Sequence, residues 1–206
     1  LMPKKKARKN TKKNFLKKSS LTTLILILLT TLFKLGDSLY TESLPAELPS
    51  SQAPLLFYAN QQKDDLSKLY IESIKSAKQS VTLVIYSLLD QRIIAALRQK
   101  ANEGVKVYIV CDAKASVGIS RKLPEATIVK RLGKGLMHQK ILIIDNQRTL
   151  IGSANMTHSS LQVHGNLVMG LDNAALAKVM NDKAHIGFIY PHTKSNSGHY
   201  HIYFFH

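Results

Sequence analysis

The sequence is poor in the residues that several classes of protein require. It has a single cysteine, Cys111, among 206 residues, which excludes an intramolecular disulfide framework. It also has no glycine-rich loop of the P-loop or dinucleotide-binding type. Cys111 ends an apolar stretch and has no distinct activating neighbour, so we interpret it as a core residue rather than a nucleophile.

Acidic residues are few and unevenly distributed. The chain has 13 Asp and Glu against 29 Lys and Arg, for a net charge of +16. The first 18 residues contain nine of the basic residues and no acidic one, so the remainder carries 20 basic and 13 acidic residues, a net charge of +7. A moderately basic body suits a substrate that bears phosphate.

Charge is absent from Ser19 to Phe33. A basic segment followed by an uncharged apolar one is typical of a secretory signal peptide or a membrane anchor. The stretch is shorter than the roughly 20 residues of a full span, so cleavage and retention as an anchor are both open. We predict that residues 1–34 export the chain or anchor it at a membrane, and that the Ser/Pro-rich residues 35–54 form a linker.

Residues 55–181 show the alternating helix and strand signals of an α/β domain. The two aspartates at 64–65 and then Asp90 predict the starts of two helices. Apolar runs at 81–86 and 105–110 predict a buried strand after each helix. We therefore predict an α/β fold with a mixed, largely parallel sheet that has helices on both faces.

The rest of the chain has weaker signals. Residues 113–137 are predicted to form a basic loop, either a substrate-facing rim that includes Lys134 as a candidate substrate contact or an ordinary solvated surface. Leu167 to Met169 predict a short strand, and Asp172 predicts the start of a further helix. Residues 182–206 are rich in histidine and aromatic residues and are predicted to be a poorly ordered tail, since the histidine spacing matches no established metal site.

One segment places polar residues around two apolar runs. It reads MHQKILIIDNQRTLIGSAN, and the runs on either side of Asp145 predict two strands joined by a turn. His138 and Lys140 would then converge with Ser153 and Asn155 at the end of the hairpin. A neutral imidazole can attack phosphorus, a lysine can neutralise phosphate oxygens, and Ser and Asn can donate hydrogen bonds to them. This group suits phosphodiester cleavage.

The same segment resembles the HKD signature of the phospholipase D superfamily, H-x-K-x4-D-x6-G-S-x-N. The matching residues are His138, Lys140, Asp145, Gly152, Ser153 and Asn155. The preceding passage IYSLLDQRIIAALRQKANEGVKVYIVCD also resembles that superfamily, so the resemblance spans about residues 64–181. It implies a metal-independent phosphodiesterase, a phospholipase D or an endonuclease, that needs no cofactor and acts on phospholipid or nucleic acid. His138 would form a phosphohistidine intermediate, with Lys140, Asp145, Ser153 and Asn155 as the other catalytic residues.

The sequence departs from the superfamily at one position. Its short nucleases usually place a glutamate near position 166 to support the catalytic histidine, whereas this chain has Gly165 and Asn166. Asn166, which is also a candidate substrate contact, or Asp145 would then have to orient the imidazole. The alternative function is a weakly active or inactive, membrane-anchored binding protein with the same scaffold.

The chain has one complete signature. His192 and Lys194 begin like a second copy, but neither the aspartate nor Gly-Ser-x-Asn follows. The superfamily's mechanism uses two copies at one site, so the resemblance implies a homodimer whose two chains share one active site. Contact with a membrane would be made through the N-terminus.

Overall fold

A computed structural model describes residues 21–37, 44–132 and 137–186. It divides the chain into two compact units, Leu1–Pro45 and Ala46–His206. In the first unit a helix, α1, covers residues 21–37 and has exposed apolar side chains along its length. Within the described ranges, no helix is both long enough and apolar enough to span a membrane.

The second unit is built on a seven-stranded sheet with helices around it. The strands are β1 (Leu55–Ala59), β2 (Ser80–Ile85), β3 (Lys106–Asp112), β4 (Thr127–Arg131), β5 (Lys140–Ile144), β6 (Arg148–Gly152) and β7 (Leu167–Asp172). The helices are α2 (Leu66–Lys75), α3 (Gln91–Asn102), α4 (Ile119–Lys122), α5 (His158–Gln162) and α6 (Ala174–Ile186), with a short 3-10 turn at Asn60–Gln62. The spatial order of the strands is β1-β7-β6-β5-β2-β3-β4.

The predicted α/β class and mixed sheet are confirmed, but the parallel part is smaller than expected. Only the β2–β3 and β3–β4 pairs are parallel, and the other four pairs are antiparallel. The reason is local for β5 and β6, which are joined by a tight turn. Asp145 and Asn146 have φ angles of 54° and 51°, the left-handed pair of a type I′ turn, and such a turn connects antiparallel strands.

Helix starts follow the predicted caps in two of three cases. The side chains of Asp65 and Asp90 each accept a hydrogen bond from the backbone N–H three residues further on, at the starts of α2 and α3. In α6 the residue that does this is Asn173. Asp172 instead ends β7, so the predicted cap is one residue too early.

Two predicted boundaries also change. The predicted loop 113–137 contains α4 and β4, because β4 adds a parallel strand beside β3. α6 continues past residue 181, since its His185 ring stacks on Tyr108 of β3 at 3.9 Å. Residues 187–206, the rest of the predicted tail, lie outside the described part.

Apolar side chains alternate between the two faces of the sheet. On one face Val81, Leu83 and Ile85 of β2 pack with the apolar residues of α2 and α3. On the other, Ile141 and Ile143 of β5 pack with α6. Helices on both faces were predicted and are confirmed, and the sheet is buried from both sides over its middle strands.

One end of the sheet is the relevant end for function. Since β2, β3 and β4 are parallel and β5 runs against β2, the carboxyl ends of the first three lie beside the amino end of β5. The end of β6 lies there too, because β6 pairs antiparallel with β5. We call this the site end of the sheet.

Candidate active site

His138 and Lys140 lie at the site end and differ in exposure. His138 lies two residues before the start of β5 and is exposed, whereas Lys140 is the first residue of β5 and is 4% exposed. The Lys140 ammonium donates a hydrogen bond to the backbone oxygen of His138 over 2.9 Å. The buried cation is thereby held beneath the segment that carries the imidazole.

The charge of Lys140 is not neutralised by a carboxylate of the described residues. None of the ion pairs within 21–37, 44–132 and 137–186 includes it, and burial lowers the pKa of its ammonium. A buried cation without a counterion is unfavourable by itself and becomes favourable when an anion is bound beside it. Lys140 is therefore suited to receive a phosphate oxygen.

Tyr86 is a site residue that the sequence reasoning missed. Its ring lies 5.7 Å from the His138 ring, between centroids, and the Lys140 Nζ lies 5.7 Å from the Tyr86 centroid. The latter distance is within cation–π range. Tyr86 follows β2, and the pairing of Ile85 with Lys140 brings it to this place. No motif signals it, because its proximity depends on strand register alone.

Gly152 is required by close approach of the backbone. A Cβ at this position would lie 2.3 Å from the backbone oxygen of Leu167 on β7, closer than any real contact. The following residue, Ser153, is held by β7 as well, since the backbone N–H of Leu167 donates to its hydroxyl over 3.1 Å. The Gly-Ser part of the motif thus seats the chain against β7 at the site end.

Asn155 lies on the loop that crosses the start of β5. Met156 pairs with Leu88 beyond β2, so the loop runs from the end of β6 past β5, which lies between these strands. The Asn155 backbone N–H donates to Ser160 Oγ over 2.9 Å. Its side-chain oxygen is buried and has no hydrogen-bond partner among the described residues. The pairing of β5 with β6 therefore places Ser153 and Asn155 at the same end of the hairpin as His138.

Asn166 supports this loop. Its Oδ1 accepts a hydrogen bond from the Ser153 hydroxyl at 2.8 Å, and its Nδ2 donates to the Ser160 backbone oxygen at 2.7 Å. These bonds use both ends of a buried amide, so Asn166 holds the loop rather than contacting a substrate or orienting the imidazole. Within the part of the chain that the structure describes, the His138 ring has no hydrogen-bond partner, and Lys134 lies outside that part.

Asp145 lies at the opposite end of β5 from the other signature residues. It is five residue steps along the strand from Lys140, or about 17 Å. Its carboxylate accepts hydrogen bonds of 2.7–2.9 Å from the backbone N–H groups of Lys78, Gln79 and Ser80, which lead into β2. The predicted catalytic role of Asp145 is therefore wrong within this chain, because the carboxylate cannot reach the reacting group or orient His138.

The electrostatics of Asp145 agree with a structural role. Burial raises the pKa of its carboxyl, but the three backbone hydrogen bonds and the nearby charge of Arg148 outweigh burial, and the net effect is a lowered pKa. The carboxylate stays ionised and joins the β5–β6 turn to the start of β2. The aspartate of the signature thus aligns the strand that delivers Lys140.

Comparison with protein-family models identifies one that matches residues 70–185, described as the cardiolipin synthase, PLD-like domain. The match covers more than half of the chain. Among curated proteins, the chain is 32% identical to the probable cardiolipin synthase YwiE of Bacillus subtilis over 112 residues, which are 50% of this chain and 22% of that protein. It is 29% identical to a phospholipase D of Rickettsia bellii over 116 residues, 54% of this chain and 58% of that protein. The chain thus spans about a fifth of the first relative and just over half of the second.

Solved structures with the same fold include two bacterial proteins. Nuc of Salmonella typhimurium, a phospholipase D family member, superposes with a TM-score of 0.58 and 21% identity over 64% of this chain and 91% of that one. NucT of Helicobacter pylori gives a TM-score of 0.57 and 26% identity over 64% and 93%. Because the matched family model covers more than half of the chain, the chain belongs to the family described as the cardiolipin synthase, PLD-like domain, within the phospholipase D superfamily of phosphodiesterase-type enzymes.

Proposed function

We propose that the chain is a metal-independent phosphodiesterase in which His138 is the nucleophile. The observation that carries the proposal is that the exposed imidazole of His138 lies two residues from the buried ammonium of Lys140, which forms no ion pair among the described residues. Such a cation attracts a phosphate to the surface at which the imidazole is exposed.

The other groups have complementary roles. Lys140 neutralises charge that develops on the non-bridging phosphate oxygens. Asn155, on the crossing loop, binds the same phosphate by donating a hydrogen bond from its side-chain N–H. Ser153 and Asn166 hold that loop in place through their mutual hydrogen bond. Tyr86 packs beside both His138 and Lys140 and keeps their geometry.

The reaction has two steps. A ring nitrogen of His138 attacks phosphorus, the bond from phosphorus to the leaving oxygen breaks, and a second imidazole gives that oxygen its proton. The second imidazole then takes a proton from water, whose oxygen attacks phosphorus and releases His138. The chain has one signature, so we propose that the second imidazole is His138 of another copy and that the active form is a homodimer.

Mixing of chains tests the shared site. Wild-type chains are exchanged with an excess of His138→Ala chains, and activity is followed against the wild-type fraction. If both histidines are needed, heterodimers are inactive and activity falls roughly with the square of that fraction. Activity that falls in simple proportion to the wild-type fraction would exclude a shared site. Full activity of a chain that sedimentation shows to be monomeric would exclude it as well.

The substrate class is tested directly. DNA, RNA and phosphatidyl lipids are offered side by side to the purified chain with and without a chelator. Wild-type turnover should survive chelation, His138→Ala should remove it, and His158→Ala, an exposed histidine on α5, should leave it unchanged. Chelator-sensitive turnover that survives in His138→Ala would refute the mechanism.

A second candidate function is a binding protein with little or no turnover. It is favoured by the residue at position 166, which is an asparagine bound to Ser153 rather than a carboxylate. The imidazole of His138 therefore has no carboxylate partner among the described residues. In that case the wild-type chain binds phosphate esters at Lys140 but hydrolyses none of the three substrates. Absence of turnover together with a binding loss in Lys140→Met would favour this function.

A further inference from the structure

The connection between β1 and α2 meets the active site, although no motif marks it in the sequence. β1 pairs with β7 so that Ala59 lies beside Leu167, and Asn60 is thereby brought to Asn166. The backbone N–H of Leu167 also donates to the Ser153 hydroxyl, so Asn60 lies at the site end of the sheet. Since Asn60 and Asn166 are 106 residues apart in the chain, strand register alone brings them together.

The side-chain amide of Asn60 is held by two backbone groups of opposite polarity. Its Oδ1 accepts a hydrogen bond from the backbone N–H of Asn166 over 3.0 Å, and its Nδ2 donates to the backbone oxygen of Leu161 over 2.6 Å. The backbone N–H of Asn60 also donates to the backbone oxygen of Asn166 over 3.4 Å. Because one side-chain partner only donates and the other only accepts, the position requires a side chain that offers both an acceptor and a donor.

Asn60 is connected to the crossing loop, which carries Ser153 and Asn155, through Asn166. The Asn166 amide accepts from the Ser153 hydroxyl and donates to the backbone oxygen of Ser160. The Ser160 hydroxyl accepts from the backbone N–H of Asn155, and the second partner of Asn60 is the next residue of α5. The Asn60 side chain therefore fixes both groups against which the crossing loop is held.

We propose that Asn60 is a positioning residue of the active site, which acts through Asn166 on the crossing loop. The inference rests on the proposed function, since it concerns the loop from which Asn155 binds the phosphate beside Lys140. Without the Asn60 side chain, the backbone N–H of Asn166, a residue that is 9% exposed, loses its acceptor. A buried donor without a partner is unfavourable, so the turn at Asn166 rearranges and the crossing loop loses its fixed position.

Asn173 is the matched control, because it makes a similar bond at the other end of the sheet. Its side chain accepts a hydrogen bond from the backbone N–H of Leu176 over 3.0 Å at the start of α6. It follows the last residue of β7, and only the first residues of that strand lie at the site end. Asn173→Ala therefore removes one side-chain hydrogen bond from the fold at a distance from the crossing loop.

Titration with inorganic phosphate tests the proposal in the full chain. Asn60→Ala should raise the phosphate dissociation constant, followed by NMR, about tenfold, because binding must then order the crossing loop. For the substrate that the wild type turns over, KM should rise by a similar factor and kcat should stay within about threefold. Asn173→Ala should lose thermal stability but bind phosphate as the wild type does. Asn60→Ser, whose shorter side chain cannot reach both backbone groups, should give an intermediate rise and supplies the measurement if Asn60→Ala does not fold.

A double variant tests the connection through Asn166. Asn60→Ala combined with Asn166→Ala should bind phosphate no more weakly than Asn166→Ala alone, because the first substitution acts through the second residue. Wild-type phosphate affinity in Asn60→Ala, an equal loss of affinity in Asn173→Ala, or additive losses in the double variant would each overturn the proposal. The proposed function fails separately, through turnover that survives in His138→Ala, and the phosphate titration does not depend on turnover.

Discussion

The placement of Asp145 leads to a prediction that separates the signature into two parts. Replacing Asp145 by Asn keeps the side-chain size and the left-handed backbone that Asn tolerates, but removes the charge that three backbone N–H groups share. Hydrogen bonds to a charged group contribute about 1.5–3 kcal/mol each, and partial exposure of this carboxylate reduces their sum. We expect the free energy of unfolding to fall by about 2–3 kcal/mol.

Activity should respond differently from stability. Asp145 is about 17 Å along β5 from Lys140, so kcat per folded molecule at low temperature should stay within about twofold of the wild type. Urea unfolding gives the stability, and turnover is measured on the folded fraction. Asp182→Asn is the control, because Asp182 forms an exposed pair with Lys178 and should change stability by less than about 0.5 kcal/mol.

The pH dependence gives an independent check. The pKa of Asp145 is lowered in the folded chain, so its stabilising contribution is present above the unfolded value, about 3.9, and is lost as pH falls through the folded value. Asp145→Asn should therefore approach the wild type in stability under acid conditions. Lost turnover in a variant of unchanged stability would refute the structural role.

Four further changes test the site and the N-terminus. Lys140→Met should abolish turnover while leaving the free energy of unfolding equal or about 1 kcal/mol higher. Burial lowers the pKa of Lys140, so just below about pH 10.4 the unfolded wild-type chain binds more protons than the folded chain. Wild-type stability should therefore rise with pH in that range, and the stability of the variant should not. Tyr86→Leu should reduce kcat about tenfold, whereas Tyr86→Phe, which keeps the ring beside His138, should not; equal kinetics would remove Tyr86 from the site. Gly152→Ala should cost about 2 kcal/mol or more of unfolding free energy because its Cβ meets the backbone of β7, and an unchanged melting curve would contradict the close approach. Deleting residues 1–34 should move the product from the membrane or exported fraction to the soluble one, and a soluble cytosolic full-length chain would rule out the targeting prediction.

What the sequence determined by itself was local. Asp65 and Asp90 cap the predicted helices, because a cap depends on residues within one turn. His138 and Lys140 lie at the same end of the hairpin as the Gly-Ser-x-Asn loop, because a tight turn makes the start of the first strand and the end of the second neighbours. The superfamily could be recognised for the same reason, since its signature is one contiguous hairpin.

Only the tertiary structure decided which groups work together. Asp145 belongs to the signature in sequence, yet strand length places it at the far end of the hairpin, where it binds the chain entering β2. Tyr86 belongs to no motif, yet register places it against His138 and Lys140. Strand register is set by the packing of both sheet faces over many residues. No local pattern contains that information.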